Sequence, residues 1–221
     1  MNRASSLTAV ALASALALAG CGTGGEQNTD AASETTSSTA AATGAGSPSS
    51  TPSGATSGEP IAEEHNDDDV MFAQMMIPHH QQAVDMSETL LAKDDIPADV
   101  QDFAQKVIDA QGPEIERMNQ MLQTWEAPMS GEDSTSMDHG AGGMMSEEDM
   151  GMLTDAQGTD AARLYLEQMT VHHEGAVEMA QEQIEQGQNP QAVELARQVV
   201  KDQEAEITEM EQMLQELPDG S

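Results

Sequence analysis

Between Phe72 and Leu90 the apolar residues recur at steps of three and four: Phe72, Met76, Ala83, Met86 and Leu90, with His79 on the same seam. That spacing holds one stripe on a helix face. Three more stripes follow. Tyr165, Met169, His172, Ala176 and Met179 repeat the first in the same register. Val193, Ala196, Val200, Gln203, Ile207, Met210, Leu214 and Leu217 make a heptad seam. Val100, Phe103, Val107 and Ala110 begin a stripe that resumes one residue late at Ile115, Met118, Leu122 and Trp125. The pattern predicts four helices, with an extra residue in the second near Gly112-Pro113, read either as a π-bulge or as a plain break. Pro78 and Pro113 fall inside their helices, where each removes an amide hydrogen bond and predicts a kink.

The helices come in pairs. Residues 72–86 align with 165–179, His79 on His172, at an offset of 93; Ile115, Met118, Met121 and Leu122 align with Ile207, Met210, Met213 and Leu214 at 92. One helical hairpin has been duplicated. Asn66 with Asp69 three residues on opens the first helix, Asn189-Pro190 opens the fourth, Gly187 stops the third and Pro218 closes the last. The expected fold is all-α: a four-helix up-down bundle from hairpins at 66–126 and 159–218, joined by a Met-rich segment at 127–158. Within that segment Ser146 with Asp149 is a capping-box spacing that fits a short helix, with Met150 and Met152 as its packing residues.

The chain preceding the bundle is of another kind. Arg3, an apolar run from Leu7 to Ala19 and then Leu18-Ala19-Gly20-Cys21 read as a bacterial lipoprotein signal peptide over residues 1–20, too short to remain as a spanning helix. Cys21, the sole cysteine, falls at the lipidation position, which excludes a disulfide. Residues 21–60 are Ser, Thr, Gly, Ala and Pro with almost no large apolar side chain, the composition of a tether. The helical domain is assigned to 61–221, and the expectation is an exported protein lipid-anchored to the outer face of the membrane.

Charge narrows the partners. Seven Lys and Arg face 40 Asp and Glu, a net charge of −33. Such a surface repels nucleic acid and concentrates cations. The candidate chemistry for a cation is soft. His79 and His172 each have a Met three residues before (Met76, Met169) and seven after (Met86, Met179), with His80 and His173 one step round the helix. Met118, Met121, Met210 and Met213 face inward from the second and fourth helices. Thioether and imidazole together suit Cu(I) or Ag(I) rather than Mg, Ca or Mn, and thioethers need no deprotonation. Met as adaptable core filler, with satisfied histidines, is the competing reading. Paired His-His steps in both repeats, each bracketed by Met, favour the ligand reading. Asp109, Glu114, Asp202 and Glu206 are candidate partners orienting the imidazoles, with a solvated face as the default.

Met129, Met137, His139, Met144, Met145, Met150 and Met152 crowd the connecting segment; Met137, His139, Met144 and Met145 form a second candidate metal cluster. An enzyme is not expected. Di-iron bundles need Glu-x-x-His steps, and no Glu stands three residues before any His. Phosphate-loop, zincin and nucleophile-elbow motifs are absent as well, so no organic cofactor is expected.

Met76-Ile77-Pro78-His79-His80 and His172-His173-Glu174-Gly175-Ala176-Val177-Glu178-Met179, with the Ile-x-x-Met-x-x-Met-Leu of each repeat, resemble the domain of unknown function 305 family over residues 64–217. The resemblance implies a ferritin-like bundle, export or lipid anchoring, and copper or silver handling through Met76, His79, His80, Met86, Met169, His172, His173 and Met179. The resulting expectation is a binding protein that sequesters copper or hands it to a transfer partner. The alternative is a non-metal structural module whose Met-lined bundle docks another protein.

Overall fold

The Asn66 side chain accepts from the Asp69 amide at 3.0 Å while the Asp69 carboxylate accepts from the Asn66 amide at 2.9 Å, a reciprocal cap that starts α1 (Asp67–Leu91). The computed structural model describes residues 59–129 and 142–218. The signal peptide, the tether, Cys21, Met137 and His139 lie outside them. Among the described residues the regular structure is entirely helical, and α1 is followed by α2 (Ala98–Thr124), α3 (Glu147–Asp155), α4 (Gly158–Gln186) and α5 (Pro190–Glu216).

The predicted boundaries have their physical causes in place. Ser146 and Asp149 form the expected capping box of α3. At α5 the Asn189 side chain accepts from the Gln191 and Ala192 amides, and Pro190 occupies a first-turn position where its missing N–H costs nothing. Asp69 does more than cap. Its buried carboxylate also accepts from the Gln183 side chain at 2.6 Å and the Asn189 amide at 2.9 Å, tying the start of α1 to the α4–α5 turn.

Each long helix runs antiparallel to its sequence neighbour, and α1 packs directly on α4 to join the hairpins. At one end Phe72, Met76, Met118, Met121, Leu122, Trp125, Ala176, Ala196 and Val199 share an apolar cluster. At the other, Met86, Leu90, Val100, Phe103, Tyr165, Leu166, Met169 and Met210 share a second. Each Leu, Val, Phe or Met among them taken fully out of water contributes about 1.5–3 kcal/mol, so the two clusters carry the fold. The short α3 leans on α1 and α4, with Leu153 fully buried in the second cluster.

Two expectations about α2 are corrected. It is α-helical throughout, with neither a π-bulge nor a break at Gly112-Pro113. Nor is there an extra residue near Gly112. Buried Val100, Phe103, Ala104, Val107, Gln111 and Met118 correspond to Ala192, Leu195, Ala196, Val199, Gln203 and Met210, a uniform offset of 92. Ala110 is exposed and Val193 and Val200 are only half-buried. A seam drawn through apolar residues slid past Gln111, whose amide reads as surface although it is buried. The change of offset from 93 to 92 therefore falls in the turns between paired helices. Met118 and Met210 are true equivalents, both fully buried.

Candidate metal centre

Between the two apolar clusters the bundle has a polar waist. His79 and His80 of α1, Gln111 of α2, His172 and His173 of α4, and Gln203 and Glu206 of α5 are all buried there, with Glu114 of α2 half-buried. The arrangement is two-fold in kind: each hairpin supplies His, His, Gln and Glu. In one, His80 Nε2 donates to the Glu114 carboxylate at 2.8 Å; in the other, His173 Nε2 donates to Glu206 at 2.9 Å. Lys106 stands 3.7 Å from the second carboxyl oxygen of Glu206. The solvated-face default fails for Glu114 and Glu206. It holds for Asp109 and Asp202, which accept from Gln105 and Gln198 on their own helices.

On the α1–α4 contact the rings of His79 and His172 lie 3.7 Å apart, tilted by 37°. His79 Nε2 donates to the Gly142 carbonyl at 2.7 Å, which leaves the Nδ1 lone pair facing inward. Burial, then the neighbouring His80, pushes the His79 pKa down to about 3 against the Gly142 hydrogen bond. His172 is held well below its ordinary value by burial first and then by His79, His173 and His80. Both rings are neutral at physiological pH, the form that ligates metal.

The nitrogens left over are the chemical signature of the waist. His79 Nδ1, His80 Nδ1, His173 Nδ1 and both ring nitrogens of His172 are buried without a hydrogen-bond partner. Leaving a buried polar atom unpaired costs about 1–3 kcal/mol, so five in one layer single out the waist as the candidate site. The carboxylate-to-imidazole pairs fix ring orientation as they do behind metal-ligating histidines. Among the described residues no three His, Cys, Asp or Glu side chains are grouped to hold an ion by themselves.

Sulfur is at hand on both sides. Met76 and Met169 lie one turn before the histidines of their helices, and Met118 and Met210 one turn beyond Glu114 and Glu206. All four are fully buried. Because α1 and α4 run antiparallel, Met76 and Met118 belong to one apolar cluster and Met169 and Met210 to the other. Met86, Met121, Met179 and Met213 stand about two turns away along their helices, roughly 10 Å by helix rise. Met86 and Met121 are wholly within the clusters, whereas Met179 and Met213 are half-buried. Of these eight methionines only Met179 and Met213 reach the surface, each in part.

The end of the connecting segment is seated on this centre, which the sequence did not announce. Gln82 brackets Met145, its amide donating to the Met145 carbonyl at 2.9 Å and accepting from the Met145 amide at 2.7 Å. The equivalent position in the second hairpin is Gly175. A Cβ there would run into the Gly142 carbonyl, so glycine leaves room for the segment to lie on α4. Gly142 and Gly143 adopt φ of 82° and 75°, which favours glycine. Met145 and Met150 pack against the second cluster, Met144 is half-buried, and Met129 and Met152 are exposed.

Comparison with known proteins agrees with this architecture. The family model described as Domain of unknown function (DUF305) matches residues 69–214. A DUF305 fragment from Deinococcus radiodurans is 31% identical, with a TM-score of 0.64, covering 72% of this chain and all of its own. A DUF305 protein from Streptomyces coelicolor, described as secreted, is 34% identical over 67% of this chain and 93% of its own, with a TM-score of 0.62. CopM in a Cu(I)-bound form is 31% identical over 67% of this chain and 96% of its own, at a TM-score of 0.56; Cu(II)-bound and Ag-bound forms of CopM also match. No curated protein matches. With its duplicated hairpin, its His-His steps and a match across most of the bundle, the chain belongs to the DUF305 family.

Proposed function

We propose that this protein binds Cu(I), and equally Ag(I), in the polar waist of its bundle, for sequestration or for transfer to a partner and without catalytic turnover. The observation that carries the reading is the layer of five unpartnered imidazole nitrogens between two methionine-bearing clusters. Of the ligand candidates, His79, His80, His172 and His173 supply nitrogen, and Met76, Met118, Met169 and Met210 stand closest along the helices. Neutral thioether and imidazole match a soft monovalent ion, whereas the excess of surface carboxylates raises local cation concentration without selecting among cations. CopM, similar over 67% of this chain, is bound to Cu(I) and Ag in its own structures, which supports the choice of ion.

Delivery belongs to the same proposal. The leader before Cys21 and the tether to about residue 60 fit an exported domain held to the membrane by lipid, and no helix among the described residues is long and apolar enough to cross a membrane. The Met137, His139, Met144 and Met145 cluster is proposed as a secondary site on the connecting segment.

Titration of the purified protein with Cu(I) against a competing chelator tests the waist. Replacing His79, His80, His172 and His173 with Gln should abolish the tightest binding while far-UV circular dichroism shows the helices intact. Unchanged affinity and stoichiometry in that variant would remove the waist from consideration. For the anchor, Cys21→Ser should release the protein from the membrane fraction.

A further inference from the structure

Away from the waist, a surface groove lies between the first turns of α1 and the last turns of α4, walled by Met71, Met75, Met179, Phe72, Asp68 and Glu182. Met71 and Met75 have had no role so far. They sit four residues apart, hence on one face of α1, and Met179 faces them from α4. Met71 is 46% exposed and Met75 half-buried, and Met179, which packs on the first cluster, is half-buried as well, so all three stay partly open at the groove. Three thioethers around one concavity are a shell for a soft monovalent ion and a poor one for hard divalent ions. Neither Lys nor Arg lines the groove, while two carboxylates do, so its field favours cations.

The groove also adjoins the waist. A Cβ on Gly142 would lie 3.4 Å from Met179 Sδ, and the Gly142 carbonyl holds His79 Nε2 at 2.7 Å. Gly142 is thus flanked by a groove thioether on one side and a waist imidazole on the other. We propose that Met71, Met75 and Met179 form a separate, solvent-reachable site for Cu(I) or Ag(I), placed to load the histidine layer through Met179. The site rests on the soft-metal reading of the chain, yet it does not require that the layer itself bind.

Methionine ε-methyl NMR of the full chain during Ag(I) titration tests the site. The Met71, Met75 and Met179 methyls should shift together with one binding curve, and Zn(II) or Mg(II) should move none of them. The Met71→Leu/Met75→Leu variant keeps side-chain volume and should lose one bound Ag(I) and the Met179 shift. In the variant with all four waist histidines changed to Gln, the three-methyl response should persist, so that failure of the groove and failure of the waist read differently. If the Met71 and Met75 methyls stay still, or if the Leu variant binds as many Ag(I) ions as the wild type, the groove is not a site.

Discussion

His79 and His172 meet ring to ring across the contact between the hairpins, and neither receives a carboxylate, although the next residue of each helix does. Burial leads the causes that hold His79 down to about 3 and His172 well below its usual value. In the unfolded chain both titrate near pH 6.5. Because the folded values are the lower ones, the stability they leave intact above about pH 6.5 is lost progressively as pH falls below that value toward the folded ones. From about pH 7.5 to 5.5 the metal-free protein should lose stability, on the order of 1 kcal/mol in all, because the unfolded chain takes up protons that the buried rings refuse. Urea unfolding at both pH values measures this, with His79→Gln/His172→Gln as the variant in which the slope flattens. A wild-type stability that is level or rising over that window contradicts neutral burial.

Metal should act on the same equilibrium with the opposite sign. An ion that binds the fold and not the unfolded chain stabilises by about 2.7 kcal/mol at roughly a hundredfold excess over Kd. Cu(I) should therefore raise Tm, a chelator should return it to the starting value, and the four-histidine Gln variant should show a much smaller rise. Calorimetry with and without chelator gives the comparison. An equal rise in wild type and variant would place the stabilising ion elsewhere.

The helices, their caps and the hairpin duplication were legible because they depend on periodicity and on short-range chemistry: Asn66 with Asp69, Ser146 with Asp149 and Asn189 before Pro190 act over three residues. The histidines were legible as a pattern. What they touch was not, because Glu114 and Glu206 are acids on amphipathic helices and differ from Asp109 and Asp202 only in facing a partner across the hairpin. Gln111 was passed over for the same reason, although its spacing of 92 from Gln203, already on the seam of the fourth helix, matches that of Met118 from Met210 and would have exposed the waist. Gly175 shows the limit most clearly. Opposite Gln82 in the alignment, it reads as drift between repeats, and only the path of Gly142 and Gly143 over α4 gives it a cause.

Glu114 and Glu206 should matter to metal affinity without touching the ion. Removing a partner that orients a ligating imidazole costs about 10- to 100-fold in affinity. Glu114→Gln and Glu206→Gln should each weaken Cu(I) binding by that order. Asp109→Asn should leave it unchanged, since Asp109 accepts from Gln105 on the exposed side of α2. Competition titration of the three variants decides the matter, and equal affinities across them would detach the carboxylates from the site.

Gly175→Ala puts a local helix preference against a tertiary demand. Alanine gains about 1 kcal/mol over glycine inside a helix, and at Gly151 of α3, where an added Cβ meets nothing within 4 Å, that gain should appear as a small rise in stability. At Gly175 the new methyl falls on the Gly142 carbonyl and the Gly143 amide, backbone atoms that cannot swing aside as a flexible side chain does. The segment must lift off α4, and with it go the Gly142 acceptor of His79 and the Gln82 clamp on Met145. The variant should keep its helical circular dichroism, melt lower than wild type, and lose amide protection at Met145, which Gln82 otherwise holds. Protection at Met145 equal to wild type would show that the segment is not seated by the absence of a side chain at position 175.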